Sequence, residues 1–445
     1  MATTSVQRTP GVTGNRKTWT FSAWFKRGNI SVDNDIFGYD GDGSNFIYLR
    51  LSSGDTLSFR EKLAGSNKCD FTSNQLLRDP TAWYHIVVAV DTNQGTAEDR
   101  IKFYLNGTQI TSWATDDYYA EDYESQMNES GKEIRIGDVV YYFDGCMSHV
   151  VFVDGLQLAA SYFGETDSTS GIWKYKQPVV SSYGTNGFYL KMENSSNMDL
   201  DSSGNALTFT TTGTLTATKD NPDNNFTTMN SIDNQSANAT YSNGNTTVTC
   251  PAGGYYAPTR SILGMSSGKW YFEVEAGHTD SLIGIVSTSL YADSSAELGH
   301  YANDYGLYGS DGKYRTADAQ VAYSGDTYTT GDIICVAVDL DNNKLYFRKD
   351  DGSWMNSGDP TSGATGTGAI SITAPSSTET GNYFAAISGY TTASPVYDVN
   401  FGNGYFGTTA VSSTNADDAG IGSFEFDVPT GYYTLCTKNI KAYGG

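Results

Sequence analysis

Twice in this 445-residue chain the run Val-Ala-Val-Asp closes an apolar stretch, and each time a polar loop leads on to a shorter aromatic stretch that ends at a glycine turn. The first instance is WYHIVVAVD at residues 83–91, followed by IKFYLNG at 101–107. The second is IICVAVD at 333–339, followed by KLYFRKDDG at 344–352. A short continuous apolar run bounded by turn residues fits a strand buried on both faces, and Asn-Gly is a strong tight-turn signal. The echo predicts two related architectures in tandem, each built from strands.

Other stretches agree. In TWTFSAWF (residues 18–25), Trp19, Phe21, Ala23 and Phe25 share one face; Thr18, Thr20 and Ser22 share the other, with Trp24 as the exception. In KWYFEVE (269–275), Trp270, Phe272 and Val274 alternate with Tyr271, Glu273 and Glu275. Residues 194–241 are rich in Ser, Thr, Asn and Asp, which marks a connector with edge strands, and Pro222 supports a break near residues 219–225. The predicted fold class is all-β: two tandem antiparallel β-sandwich domains, residues 1–218 with its connector strands and residues 219–445 with a C-terminal extension.

Composition excludes alternatives. Only 17% of residues are charged, against about 25% in typical domains, and the chain holds 48 Gly and 32 Tyr. That balance is wrong for a helical bundle and right for strands and tight turns. Twenty-seven Lys and Arg against 50 Asp and Glu give a net charge of −23, which argues against a phosphate-backbone partner, so no nucleic acid is expected. No apolar run approaches a membrane span, so no membrane insertion is expected. Five scattered cysteines with no CxxC spacing indicate neither a disulfide framework nor a zinc site. The N-terminus reads MATTSVQRTPG, without a basic-then-apolar leader.

The first half, through TWTFSAWFKRG, WYHIVVAVDT, DRIKFYLNGTQI and FDGCMSHVVFVDGLQL, resembles a laminin G-like domain of the concanavalin A-like superfamily over roughly residues 1–190. The second half, through SSGKWYFEVEAG, TTGDIICVAVDLDNNKLYFRKDDGSW and YDVNFGNGYF, resembles a SPRY domain over roughly 240–408. Both resemblances imply jelly-roll-like sandwiches. Residues 220–230 (DNPDNNFTTMN) and 428–440 (VPTGYYTLCTKNI) are similar to segments of phage structural proteins that join the same two domains.

That combined resemblance implies a non-enzymatic bacteriophage virion protein, a tail fibre, spike or head fibre, assembled in the host cytoplasm and displayed on the virion surface. The implied partners are other virion proteins, further copies of the chain (a homotrimer is the expectation for a fibre), and a host-surface glycan or protein recognised in a lectin-like way. Two alternatives stand beside it: a decoration or adaptor protein with no external ligand, and a glycan-degrading tail enzyme.

Candidate ligand contacts are the tyrosine-rich stretches, since tyrosine is a rigid amphipathic residue suited to sugar rings and protein surfaces. Tyr118, Tyr119 and Tyr123 lie in the acidic stretch 116–133; Tyr291, Tyr301, Tyr305, Tyr308 and Tyr314 lie in the second half. The laminin G-like resemblance implies calcium at the sandwich rim, where YDGDGSN (39–45) offers Asp40, Asp42 and Asn45 as oxygen ligands. Residues 1–17 hold the clustered basic residues Arg8, Arg16 and Lys17, expected to dock on an acidic virion partner. For catalysis, the carboxylate pairs Glu425/Asp427 and Glu273/Glu275 have the i, i+2 spacing of an acid–nucleophile pair. The first lacks a third carboxylate, the second is expected on a solvated outer face, and no catalytic residue is assigned.

Overall fold

The computed structural model describes residues 4–233, 239–255, 258–289, 291, 296–391 and 393–444. The chain is nearly all β. It forms two compact units, residues 1–217 and 218–445.

The first unit pairs two antiparallel sheets. One has eight strands in the order Trp113–Asp117, Ser66–Leu76, Thr56–Leu63, Asn45–Leu51, Asn34–Asp42, Ile134–Ile136, Ser5–Arg8 and Thr210–Thr212. The other has six, ordered Phe188–Leu190, Gly145–Asp154, Thr18–Arg27, Tyr84–Asp91, Ile101–Leu105 and Thr108–Gln109. Period-two alternation sends Trp19, Phe21, Ala23 and Phe25 inward with Val88, Phe103 and Phe152, against Phe37, Leu49, Phe59 and Phe71 of the facing sheet. Phe21 and Phe37 stack across the gap with ring centres 4.0 Å apart. Each such side chain contributes roughly 1.5–3 kcal/mol of burial.

The polar face expected on residues 18–25 is not solvated. Thr20, Ser22 and Trp24 are buried, because residues 156–189 fold back over that face with Leu158, Phe163 and Tyr189. Under this cover His85 is held between Ser22 Oγ, 2.8 Å from Nε2, and the Trp173 indole N–H, which donates to Nδ1 at 3.1 Å. Burial, and secondarily His149, hold its imidazole down to about 3, so it stays neutral.

The second unit repeats the plan. Thr247–Thr249, Val396–Asn400, Lys269–Glu275, Ile333–Asp339, Lys344–Lys349 and Ile370–Ser371 are consecutive neighbours in one sheet. Phe384–Thr391, Ser281–Val286, Tyr305–Tyr308 and Tyr314–Thr316 are neighbours in the other. Trp270, Phe272, Val274, Val336, Val338, Phe347 and Val399 fill the space between them. Tyr433–Thr434 pairs in parallel with Lys269–Glu275, an exception to the antiparallel pattern. Neither unit is cross-linked: all five cysteines are thiols, and Cys69, Cys250, Cys335 and Cys436 are buried. Among the described residues no helix is long and apolar enough to cross a membrane.

Candidate functional site

Three strands of the first unit bring four rings together. Phe71 lies on Ser66–Leu76, Phe103 on Ile101–Leu105, Trp113 opens the edge strand Trp113–Asp117, and Tyr118 follows it. Phe71 lies 4.9 Å from the ring centres of Phe103, Trp113 and Tyr118. Trp113 meets Phe103 at the same 4.9 Å. Phe71 and Phe103 point into the core, whereas Trp113 and Tyr118 are half-buried and form walls. They line a cavity of about 160 Å³ with Ile101, Ile110, Glu98, Lys102, Gln109 and Thr111.

Glu98, Gln109 and Thr111 are exposed, and Lys102 Nζ rests on Asp99 at 2.9 Å. Burial, then the charges of Asp116 and Glu98, hold the Tyr118 hydroxyl above the usual tyrosine range, so it remains a neutral donor. An apolar floor with a rim of carboxylate, ammonium, amide and hydroxyl groups can stack against a ring and fix its hydroxyls.

The other two tyrosines of this stretch face inward, which corrects the expectation that they contact a ligand. Tyr119 is fully buried and donates to Glu61 Oε2 at 2.6 Å; Tyr123 donates to Glu61 Oε1 at 3.0 Å. Ser125 Oγ and the Gln126 N–H donate to the same carboxylate at 2.7 and 2.8 Å, and Gln126 Nε2 at 3.5 Å. Desolvation raises the Glu61 pKa against these donors. Sequence alternation carried the signal: Leu57, Phe59 and Glu61 fall on one face, so a carboxylate stood at a core position.

The basic arm is also spent inside the chain. Arg16 reaches Glu124 and Glu129, each at 3.2 Å, and Lys17 reaches Asp122 at 2.9 Å. Arg8 donates to Asn186 at 3.5 Å. The expected acidic partner of Arg16 and Lys17 is the chain's own stretch 116–133.

Asp40, Asp42 and Asn45 do not fit a calcium site. Asp42 accepts from the Ser44 N–H at 2.7 Å and from the Asn45 amide at 3.0 and 3.1 Å. The Asn45 carbonyl oxygen is taken by the Ala64 N–H at 3.0 Å. The Asp42 and Asn45 oxygens close a hairpin turn. Among the described residues no group of three His, Cys, Asp or Glu could hold a metal.

In the second unit the five tyrosines do not share one surface. Tyr291 is buried and donates to Asp304 at 2.6 Å, which removes it as a contact residue. Tyr305 lies in the core and accepts from the Thr373 N–H at 3.1 Å. Tyr308 sits beneath Arg315, 4.4 Å from its ring centre, and donates to Asp280 at 3.1 Å. Tyr314 packs edge-on against Tyr323 at 6.3 Å, and half-buried Tyr301 packs edge-on against Tyr291 at 4.9 Å. Residues 292–295, within the same stretch, lie outside the described residues.

Two family models match the chain. That of the concanavalin A-like lectin/glucanases superfamily, of laminin G type, covers residues 2–160, and that of the SPRY domain covers residues 269–380. The chain carries a laminin G-like domain and a SPRY domain. Among solved structures it is similar to the SPRY domain of human HERC1 at 11% identity, covering 38% of this chain and 96% of that one, with a TM-score of 0.29. It is also similar to a putative carbohydrate binding protein from Bacteroides ovatus at 17% identity, covering 48% and 56%, with a TM-score of 0.28. A third likeness is to domain 4 of an arabinanase from Geobacillus stearothermophilus in complex with arabinotriose, at 15% identity, 33% and 64% coverage and a TM-score of 0.24. No curated protein matched the sequence.

The SPRY domain hides a second group that sequence reasoning misplaced. Glu273 is not on a solvated face; it is fully buried. Register aligns Asn400, Glu273, Cys335 and Arg348 as one outward row across four strands. Residues 423–428 lie over this row. The Glu425 and Phe426 N–H groups both donate to Glu273 at 3.0 Å, as do Asn400 Nδ2 and the Tyr271 hydroxyl. Burial nonetheless pushes the Glu273 carboxyl up to about 7. Glu425, the other carboxylate considered for catalysis, is half-buried and accepts from the Ser412 N–H at 2.6 Å.

Proposed function

We propose that the chain is a non-enzymatic, lectin-like virion-surface protein whose laminin G-like domain recognises a host-surface glycan. The observation that carries the recognition reading is the pocket walled by Trp113 and Tyr118. Its volume of about 160 Å³ suits a single sugar ring, its floor is aromatic, and its rim offers Glu98, Lys102, Gln109 and Thr111 to hydroxyl groups. Shallow contact of this kind is weak for one copy and gains from many, which fits display on a particle. The virion assignment rests on the likeness of residues 220–230 and 428–440 to segments of phage structural proteins.

Glycan-array binding by the full chain, followed by titration of the best ligand, tests the recognition. Trp113→Ala and Trp113→Phe are the variants: the first is expected to weaken binding at least tenfold and the second to keep most of it. Unchanged binding by Trp113→Ala removes the pocket from the mechanism. The adaptor reading gains from the burial of Tyr119 and Tyr291; it predicts no array signal and no block of adsorption by purified protein. The enzymatic alternative predicts oligosaccharides released from host polysaccharide and their loss in Glu425→Gln. An antibody-labelled map of intact particles locates the chain, and a particle that lacks it overturns the virion assignment.

A further inference from the structure

The outward face of the SPRY sheet carries groups that a purely structural surface would not bury. Glu273 and Arg348 are charged, Asn400 is polar, and all three are at least nine-tenths buried. Burying such groups is costly unless each finds a specific partner. Beyond the bonds these groups make within their own domain, each reaches the backbone of one short segment, taken in order along the row. Asn400 Nδ2 donates to the Ser423 carbonyl at 3.0 Å, Glu273 accepts the Glu425 and Phe426 N–H groups, and Arg348 Nη2 donates to the Asp427 carbonyl at 3.0 Å. The segment therefore crosses the strands and is read one peptide group at a time.

Side chains add anchors at each end. Phe424 is buried edge-on against Tyr271, with ring centres 5.0 Å apart. The Arg348 guanidinium lies 5.0 Å from the ring centre of Trp354 and 5.7 Å from that of Phe426. Among the described residues, the core between the two sheets takes no hydrophobic side chain from residues 411–432; these pack in a separate outer cluster with Tyr271, Cys335, Ala337 and Tyr346. The segment thus contributes to the outer face and not to the core between the sheets, and residues 408–410, 412 and 413 of its lead-in are exposed.

We propose that the row of Asn400, Glu273, Cys335 and Arg348 is a peptide clamp, that residues 423–428 fill it as an intramolecular ligand, and that the same segment of a second copy of this chain can take their place. The clamp fits an extended peptide with an aromatic–acidic–aromatic–acidic pattern, Phe-Glu-Phe-Asp at 424–427. Exchange of this segment between copies links two chains. The proposal is independent of glycan recognition.

The probe is a labelled synthetic peptide of residues 419–432, added to the full chain. In the double variant Phe424→Ala/Phe426→Ala the resident segment is loosened, and saturable peptide binding at least tenfold tighter than to the wild-type chain is expected. Adding Arg348→Ala to that variant is expected to weaken binding at least tenfold. A folded double variant that binds no peptide overturns the proposal. Hydrogen exchange on the wild-type chain decides independently of whether the variant folds. The Glu425 and Phe426 amides are expected to exchange at least tenfold faster than those of Ile333–Asp339. Exchange together with that strand, as one cooperative unit, makes the segment part of the sandwich and overturns the clamp.

Discussion

Glu61 in the laminin G-like domain and Glu273 in the SPRY domain occupy similar surroundings. Each is fully buried, each faces a cysteine across the ladder (Cys69 and Cys335), each accepts from a tyrosine hydroxyl, and each pins a segment that belongs to no sheet. They differ in what they bind. Glu61 takes three side-chain hydroxyls, from Tyr119, Tyr123 and Ser125, together with the backbone N–H and, at 3.5 Å, the side-chain amide of Gln126. Glu273 takes two consecutive backbone N–H groups from its segment, and its other donors come from its own sheet. A carboxylate satisfied by hydroxyls accepts one sequence only, so it is a permanent joint. A carboxylate satisfied by main-chain N–H groups accepts any segment of the right shape, so its occupant is replaceable.

The largest expected effect comes from breaking the joint. Glu61→Ala leaves three hydroxyls and an amide unpaired in a dry site and is expected to cost about 3–5 kcal/mol in urea unfolding of the full chain. A loss below about 1 kcal/mol would show that water replaces the carboxylate.

Next is the pH response of Glu273. Its carboxyl is raised to about 7 in the folded chain from an ordinary 4.5. The folded state therefore holds the proton more tightly than the unfolded chain between those values. This group's contribution is complete below pH 4.5 and is lost as pH climbs to 7, by roughly 3 kcal/mol at about 1.4 kcal/mol per unit. Comparing Glu273→Gln with the wild type at pH 4.5 and 7.5 isolates that slope; parallel curves would contradict it.

The smallest effect tests the acidic loop from its solvent side. Arg16→Ala removes partly exposed ion pairs with Glu124 and Glu129 and the guanidinium's hydrogen bonds to the Ser125 and Glu124 carbonyls, and is expected to cost about 1 kcal/mol, less in high salt. A cost as large as that of Glu61→Ala would move the anchor of residues 116–129 from the buried carboxylate to the surface charges.

Much of the fold was legible in alternation. Trp19, Phe21, Ala23 and Phe25 share a face because strand geometry leaves no other choice, and the paired VAVD strands lie at the centre of their sheets for the same reason. Alternation says nothing of what covers the second face. That is why Glu273 was read as outward and solvated, when residues 423–432 lie over it, and why nothing marked the cover that residues 156–189 place over Ser22 and Trp24. The candidate site was legible in part. Tyr118 could be named as a contact residue from local density of tyrosine, but Tyr119, its neighbour, points the other way and meets Glu61, 58 residues distant in sequence. Trp113 gave no local signal at all, since its pocket depends on Phe71 and Phe103 from strands of two different sheets.

The burial of four thiols bears on where such a chain can travel. Attack on a disulfide or an oxidant requires the deprotonated sulfur. Desolvation first of all raises Cys69 well above the usual thiol range, lifts Cys436 and brings Cys335 up to about 12. Cys146, half-exposed, is the sulfur an alkylating reagent would find first. An oxidising medium would therefore act on Cys146 before any of the four buried sulfurs.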